Sequence, residues 1–268
     1  MMQLVRISQH INYNRLSTTS FSPAKRLALL AAGVMEAARC QALFKRRAKV
    51  ECNLCGWQGR SFINFYTGYG HVYPNAVCPS CYSHPRHRSY AFSLEKLLNS
   101  NGKKKVLHFS PERMITEIIC SHADIDYLSV DIDHTKAMRK EDITALSFPS
   151  NSFDYIVCVH VFEHISDDRK AMDEVYRVLK PGGVALLDVP IDHNREETYE
   201  DWSITSPEER TKAFWQWDHV RLYGRDYPQK LRAVGFSVQE DQLISHLPEH
   251  QRTRFGLEAE PNYLCTKP

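Results

Sequence analysis

The sequence has no acidic residue before Glu36 and no apolar run long enough to span a membrane. A membrane helix needs about 20 consecutive apolar residues, whereas the first apolar stretch, residues 27–35, is short and is followed by Glu36 and Arg39. It also lacks the form of a secretory signal. These absences predict a cytoplasmic protein without a membrane span, in which the eight cysteines remain reduced.

The first 48 residues are basic. Residues 1–22 are polar and contain no acid, which is typical of a mobile arm. Pro23 then opens a stretch whose apolar residues repeat at helical spacing, with proline in a favoured first-turn position. We interpret this stretch as a basic docking helix, and an organelle transit peptide is the alternative because acids are absent from its start.

Charge is divided unevenly along the chain. Residues 1–105 carry 16 lysines and arginines against 3 acids, a net charge of +13, whereas residues 106–268 carry 18 against 29, a net charge of −11. The contrast indicates parts with different roles. We predict three segments: a basic arm and helix at 1–48, a small ribbon at 49–88, and a large domain at 89–268.

Two Cys-x-x-Cys pairs, "CNLCG" and "CPSC", lie 22 residues apart in the basic third. Two such pairs supply four thiolates for a tetrahedral zinc ion, and a segment of about 45 residues is too small to build much core without a metal. Two disulfides or a redox pair are the alternatives, which a reducing compartment disfavours. The predicted structural zinc ligands are Cys52, Cys55, Cys78 and Cys81.

The stretch "YSHPRHRSY" follows the second cysteine pair. Its cations and rings, with the aromatic residues upstream, would suit nucleic acid, the cations meeting phosphates and the rings meeting bases. We favour the other interpretation, in which Arg86 and Arg88 pack the ribbon onto the acidic domain that follows it.

From Ser89 onward, strand and helix patterns alternate. The strands "KVLHFS", "YLSVDID", "FDYIVCVH" and "VALLDVP" are apolar on both faces, as parallel strands buried between helices are. Their alternation with helices predicts a doubly wound α/β sheet. The predicted helices are 89–102, 111–121, 167–180 and 226–233, and further strands are predicted at 236–243 and 262–266.

The turn after "KVLHFS" contains no glycine, although turns of nucleotide-binding α/β units usually do. About twenty residues later the second strand ends in Asp131, where a carboxylate is placed to accept hydrogen bonds from the two hydroxyls of a ribose. Asp142 and Ile143 follow. The acid could accept a hydrogen bond from an adenine amino group, and the apolar side chain could cover the adenine ring. The alternative for Asp142 is capping of a short turn.

The stretch "EDITALSFPSNSFDYIVCVHVFEHI" with "YRVLKPGG", and later "DHVRLYGRDYPQKLRAVGF", resembles the class I S-adenosylmethionine-dependent methyltransferases over 89–268. With the ribbon before it, the chain resembles a bacterial branch of that family. The resemblance implies a seven-stranded Rossmann-like sheet and S-adenosylmethionine as cofactor. The chain departs from the family at His108, Ser110, Glu112 and Met114, where an acid and three glycines are usual. The implied cofactor-binding residues are Ser110, Glu112, Asp131, Asp142, Ile143 and His160; a scaffold that binds no cofactor is the rival.

Methyl transfer to an oxygen also requires removal of the hydroxyl proton. The candidate bases are His160, at the end of the fourth strand, and His219, in "WQWDHVRLYG". The alternative for His219 is a core histidine that donates to a backbone carbonyl. The candidate acceptor-binding residues are Trp217 and Tyr223, as walls of the pocket, and Arg221, for an anionic group. The alternative for the two aromatic residues is internal packing.

In "HVFEHI", His160, Glu163 and His164 stand at i, i+3 and i+4 and would share one face of a helical turn. With His219 they resemble the Glu-x-x-Glu-His and downstream His ligands of metal-dependent O-methyltransferases, the small-RNA 2′-O-methyltransferases and, in part, the ubiquinone-pathway enzymes. The resemblance implies a second divalent metal, of zinc, manganese or iron type, that holds a vicinal diol or catechol. A bracing role for Glu163 and His164, or direct base catalysis by His160, are the alternatives.

Two functions follow from these features. The first is O-methylation of a small-molecule or glycan-type hydroxyl. The second is a nucleic-acid (RNA) methyltransferase or binding module guided by the basic ribbon region. The acidic charge of residues 106–268 disfavours a polyanion lying across the catalytic half.

Overall fold

The computed structural model describes residue 35 and the ranges 48–66, 72–99 and 102–268. The predicted arm, docking helix and transit segment therefore lie outside the described residues, apart from Met35 and Ala48. Within the described ranges, no helix combines the length and apolar character that crossing a membrane requires.

The chain divides into two compact units. The first comprises Met1–Phe92 and Leu243–Glu260, and the second comprises Ser93–Gln242 and Pro261–Pro268. The three predicted segments stay predictions. Leu243–Glu260, which lies within the segment predicted at 89–268, belongs to the first unit.

Within its described residues, the first unit contains two small antiparallel hairpins and three helices whose bounds are given below. Strand β1 pairs with β2, and β3 pairs with β4. The helix predicted at 89–102 begins earlier, at Pro85, because proline is favoured in the first turn, and it ends at Leu98. The elements are β1 Val50–Glu51, β2 Gln58–Gly59, β3 Ile63–Tyr66, β4 Val72–Val77, α1 Pro85–Leu98, which continues into the second unit, α6 Leu243–His246 and α7 Glu249–Phe255.

The second unit is built on a seven-stranded sheet in the order β12-β13-β9-β8-β5-β6-β7. Strand β13 runs antiparallel to both of its neighbours, and the pairs among β9, β8, β5, β6 and β7 are parallel. The doubly wound sheet predicted from the sequence is confirmed. The strands are β5 Lys104–Phe109, β6 Ile125–Asp131, β7 Arg139–Lys140, β8 Phe153–Val159, β9 Leu179–Asp188, β12 Ser237–Asp241 and β13 Asn262–Thr266.

Helices and short strands connect the sheet. The side chain of Asp167 caps α3 and that of Ser206 caps α4. The predicted helix 167–180 ends at Val178, because residues 179–183 extend into β9. The remaining elements are α2 Arg113–Cys120, a 3₁₀ turn Phe162–His164, α3 Asp168–Val178, β10 Tyr199–Glu200, α4 Pro207–Phe214, β11 Arg221–Leu222 and α5 Tyr227–Val234.

Two neighbouring parallel strands end in the same unusual way. Ser110 follows β5 with φ of 44° and His160 follows β8 with φ of 54°. Both are left-handed, a conformation that costs a non-glycine residue about 1 kcal/mol. Each residue still adds one hydrogen bond to the neighbouring parallel strand. Ser110 N donates to Val130 O at 2.9 Å, and His160 N donates to Asp188 O at 2.8 Å. Ser110 thus adopts the backbone conformation for which glycine is the usual choice.

Candidate functional site

The carboxyl ends of β5, β6 and β8 define a crevice where the strand order reverses, the usual ligand position of an open α/β sheet. Ser110, Asp131 and His160 stand at these three ends. Oδ1 of the half-buried Asp131 accepts a hydrogen bond from the Asp133 amide at 2.8 Å, which fixes the carboxylate at the strand end. The structure therefore brings three predicted cofactor residues to one edge.

Asp142 and Ile143 follow β7 and differ in exposure. Ile143 is buried, whereas Asp142 is exposed and its Oδ1 accepts from both the amide and the hydroxyl of Thr144 at 2.8 Å. The bond from the Thr144 amide lowers the pKa of Asp142. The capping interpretation of Asp142 is therefore realised, and its role toward adenine stays a prediction.

The glycine-free turn places Glu112 at the N-cap of α2 without a side-chain capping bond. His108 lies behind it, fully buried, with Nδ1 3.1 Å from the Tyr127 hydroxyl. Burial lowers the pKa of His108 to about 4, so its ring is neutral. Its Nε2 has no hydrogen-bond partner within the described ranges.

Glu163 is the most unusual carboxylate of the second unit. It lies on the 3₁₀ turn with 1% of its surface exposed, and neither oxygen has a hydrogen-bond partner among the described residues. His160 Nδ1 approaches Oε1 to 3.3 Å, within ion-pair distance but without hydrogen-bond geometry. Burial raises the pKa of Glu163, but the adjacent His160 and the charges of His164 and His219 outweigh it and lower the pKa.

Three potential metal ligands meet at this carboxylate. One ligand atom each from Glu163, His164 and His219 lies within 4.8 Å of the others, and the two imidazole rings are 4.7 Å apart. His219 Nδ1 lies 2.8 Å from Phe214 O, as the core-histidine interpretation expects, and His164 Nδ1 lies 3.4 Å from Asp218 Oδ2. Nε2 of each ring is left as the remaining ligand atom.

The protonation of the two rings differs. Burial lowers the pKa of His219, which keeps the ring neutral as a metal ligand must be. Burial also lowers the pKa of His164, but the bond to Asp218 and the charge of Glu163 outweigh it and raise the pKa. Asp218 was not predicted from the sequence as a partner of His164, although an acid directly before His219 indicated a carboxylate near the histidines.

His160 was predicted as a fourth ligand, and the structure does not bring it into the set. Its backbone is left-handed, its Nδ1 lies 3.3 Å from Glu163 Oε1, and its side chain is 30% exposed. The expected helical turn is a 3₁₀ turn that begins only at Phe162, so the i, i+3, i+4 face does not form. His160 is thus a partly exposed neighbour of the cluster.

Two of the three predicted acceptor residues lie in the interior. Arg221 is 1% exposed and its donors are occupied by carbonyls and Glu200, and Tyr223 is buried with its hydroxyl donating to Asp168 Oδ2 at 2.7 Å. Neither side chain is available to an acceptor, because both are packed and hydrogen-bonded within the unit. Trp217 is 60% exposed, and its predicted role remains open to test.

The four predicted zinc ligands cluster in the first unit. Cys52 Sγ lies 3.6 Å from Cys81 Sγ, Cys55 Sγ lies 3.7 Å from Cys78 Sγ, and all four sulfurs lie within 4.8 Å of one another. The bond with Cys55 is the largest of several that lower the pKa of Cys52. The Ser83 hydroxyl lies 3.3 Å from Cys52 Sγ and 3.2 Å from Cys81 Sγ.

Arg88 bears on the nucleic-acid interpretation of the ribbon. Its side chain has no exposed surface and donates to backbone carbonyls of Ala76, Ser83, Phe255 and Gly256. Arg88 therefore cannot contact a phosphate. Its bonds hold the ribbon to Phe255 and Gly256 of the same unit, and the packing of Arg86 and Arg88 onto a separate acidic domain stays a prediction.

Residues 108–187 match the family model described as "Methyltransferase domain". A Mycolicibacterium smegmatis protein named "Probable S-adenosylmethionine-dependent methyltransferase" is 30% identical over 139 residues, 50% of either chain. "Uncharacterized methyltransferase YcgJ" of Bacillus subtilis is 49% identical over 53 residues, 20% of either chain. A crystal structure of YcgJ superimposes with a TM-score of 0.44 and 20% identity, over 66% of this chain and 94% of that one.

The sheet, with its antiparallel β13, is the α/β architecture of Rossmann-like methyltransferases. The matched segment runs from the end of β5 into β9 and so includes the strand ends at which Ser110, Asp131 and His160 stand. The chain is therefore similar to a methyltransferase domain over residues 108–187, and to a relative named as S-adenosylmethionine-dependent over 139 residues. It spans about half the length, or less, of the curated relatives it matches.

Proposed function

We propose that the protein transfers a methyl group from S-adenosylmethionine to a hydroxyl oxygen of a small-molecule or glycan acceptor, beside a divalent metal held by Glu163, His164 and His219. The observation that carries the proposal is the buried carboxylate of Glu163, whose two oxygens have no hydrogen-bond partner in the described structure. A buried carboxylate is costly unless a cation or a donor compensates it.

The donor set fits such an ion. Two imidazoles and one carboxylate suit zinc, manganese or iron better than magnesium, which prefers oxygen ligands. Three protein ligands leave coordination positions for both oxygens of a vicinal diol or catechol. A bound divalent ion would lower the pKa of a hydroxyl that contacts it.

The crevice residues fit the cofactor. Asp131 would accept from its ribose hydroxyls, Ile143 would cover one face of its adenine, and Glu112 would pair with its ammonium group beside the N-terminus of α2. S-adenosylmethionine supplies an activated methyl group. The protein's part is then to hold the acceptor oxygen in line with that methyl and to exclude water.

His160 is the candidate base. Its ring is partly exposed, follows a strand that lines the crevice, and touches the carboxylate of Glu163. His160 would take up the hydroxyl proton as a general base. His219, the other predicted base, is 5% exposed and is better suited as a ligand.

The four cysteines of the first unit would hold a structural zinc ion. Their clustering within 4.8 Å supports this part of the proposal. The alternative function on nucleic acid gains no support from Arg88, which is buried. A gel shift with RNA and DNA at 50 mM salt tests it, and absence of binding removes it.

Metal analysis of a variant with all four ribbon cysteines changed to serine tests the second metal site. We expect one remaining equivalent per chain, lost on a further His164→Ala change and retained with His122→Ala, a histidine distant in sequence. Methyl transfer to a catechol or sugar diol should fall on chelation and return with the metal. No remaining metal, with transfer indifferent to chelators, would contradict the metal-assisted mechanism.

A further inference from the structure

The guanidinium of Arg221 is bonded to the turn that carries Glu163 and His164. Nη1 donates to Phe162 O at 2.8 Å and also to Ile165 O, and Nη2 donates to Ser166 O at 3.0 Å. A buried arginine thus contacts the carbonyls on both sides of two candidate ligands, although the sequence had indicated a role in acceptor binding.

We propose that Arg221 is the positioning residue of the candidate metal centre, which sets the distance between Glu163 and His164 on one side and His219 on the other. This inference rests on the proposed function, because the metal is part of it.

The turn needs such a support. It is a 3₁₀ turn of three residues, held internally by the bonds from His164 N to Val161 O at 3.0 Å and from Ile165 N to Phe162 O at 3.2 Å. Short 3₁₀ turns have poor hydrogen-bond geometry, and carbonyls at the end of a helical turn lack partners within it. The planar fork of arginine supplies several donors in a fixed arrangement, which lysine cannot do.

The segment that contains Arg221 also carries the third ligand. His219 lies two residues earlier, and the Val220 amide donates to Glu163 O at 2.9 Å. Three consecutive residues therefore have three roles. His219 supplies a ligand, Val220 a backbone bond to the turn, and Arg221 the side-chain bonds that hold the turn. Movement of Arg221 relative to the turn would change the separation of the two groups of ligands.

The charge of Arg221 is balanced away from the ligands. Nε donates to Glu200 Oε1 and lies 3.6 Å from Asp168 Oδ2, which also accepts from the Tyr223 hydroxyl. Two carboxylates beside one guanidinium leave little net repulsion toward a bound cation. The effect of Arg221 on the metal is therefore one of geometry.

Arg177 offers a matched control. It donates to Phe148 O at 2.7 Å, to Leu146 O at 2.9 Å and to Glu174, so it clamps a different loop of the same unit with the same kind of bonds. Arg177→Lys should disturb residues 146–148 and leave residues 162–166 unchanged.

The experiment compares Arg221→Lys with Arg177→Lys in the full chain with the ribbon intact. We expect Arg221→Lys to weaken zinc or manganese binding at the second site at least tenfold, the range seen when a ligand's supporting partner is lost. The Kd for S-adenosylmethionine should change less than twofold. In metal-free protein, hydrogen exchange over residues 162–166 should accelerate. Arg177→Lys should change neither metal affinity nor this exchange.

Unchanged metal affinity and unchanged exchange in Arg221→Lys would overturn the inference, as would an equal loss in Arg177→Lys, which would indicate general destabilisation. If Arg221→Lys does not fold, Glu200→Gln replaces it, with at least threefold weaker metal binding and faster exchange as the supporting result, and no change in either as the opposing one. If the unaltered protein binds no second metal, the proposed mechanism fails, and the exchange measurement alone decides whether Arg221 positions the turn.

Discussion

The guanidinium of Arg88 lies 4.1 Å from the centre of the Phe62 ring, and both side chains are buried. A desolvated cation over an aromatic face gains about 2 kcal/mol, and four backbone carbonyls accept the remaining donors of Arg88. Burial lowers the pKa of Arg88, yet the group remains charged because these contacts compensate it. The pair joins the ribbon to the C-terminal end of α7 within the first unit.

Gly256 is the position most sensitive to this packing. A Cβ there would lie 2.6 Å from the Phe62 ring and 3.0 Å from Arg88 Nη2, on a backbone with φ of +58°. Gly256→Ala should lower the free energy of unfolding by about 3 kcal/mol. Gly56→Ala, at φ of +69° with nothing within 4 Å, should cost only about 1 kcal/mol. Urea unfolding followed by circular dichroism measures both, and equal losses would show that the crowding is relieved.

The cysteine cluster predicts a second outcome. Cys55→Ser should lose the ribbon zinc, because a hydroxyl is a much weaker ligand than a thiolate, and residues 49–90 should become sensitive to protease. Cys120→Ser, at an exposed cysteine outside the cluster, should retain the metal and the resistance. Zinc analysis with limited proteolysis distinguishes them. Full zinc content in Cys55→Ser would remove the tetrathiolate site.

The ribose contact predicts a third outcome. Asp131→Ala should weaken S-adenosylmethionine binding at least tenfold, because two charge-assisted hydrogen bonds of roughly 1.5–3 kcal/mol each are lost. Asp133→Ala is the matched control, since the Asp133 carboxylate lies two residues further on and accepts from Thr135, at 3.0 Å from its amide and 2.8 Å from its hydroxyl. Titration calorimetry gives both constants. Similar affinities for the two variants would place the ribose elsewhere.

His108 predicts how stability depends on pH. Burial lowers its pKa from 6.5 to about 4, so between these values the unfolded chain binds a proton that the folded protein does not. The free energy of unfolding should therefore fall as pH falls from 6.5 to 4, by up to about 3 kcal/mol from this residue. His108→Gln should remove that part of the slope, as measured by urea unfolding at several pH values. Parallel curves of unfolding free energy against pH for the two proteins would show that His108 takes up a proton as readily in the folded protein as in the unfolded chain.

Much of the fold could be predicted because its signals are local. The apolar strands that alternate with helices indicated the parallel sheet, and β13 was placed at its observed residues, 262–266. The helices α4 and α7 were missed, since their short segments carry few apolar residues at helical spacing.

The candidate site was predicted in part. Asp131 and His160 could be placed at strand ends because parallel strands present their carboxyl ends at one edge. The pairing of Glu163 with His164 and His219 was anticipated from spacing and family resemblance together. The orientation of His160 was not, because a left-handed residue and a 3₁₀ turn replace the helical face that the spacing assumed.

Spacing along the chain was enough to predict the parallel sheet, the two cysteine pairs and the residues at the strand ends. The folded chain was needed to show that Arg221 is bonded to the ligand turn, that Tyr223 is internal and that Glu163 is buried with no hydrogen-bond partner among the described residues. A charged side chain in a polar segment is typical of the protein surface. Whether it instead becomes a buried clamp depends on carbonyls 55 to 59 residues away in the chain, which folding alone brings within reach.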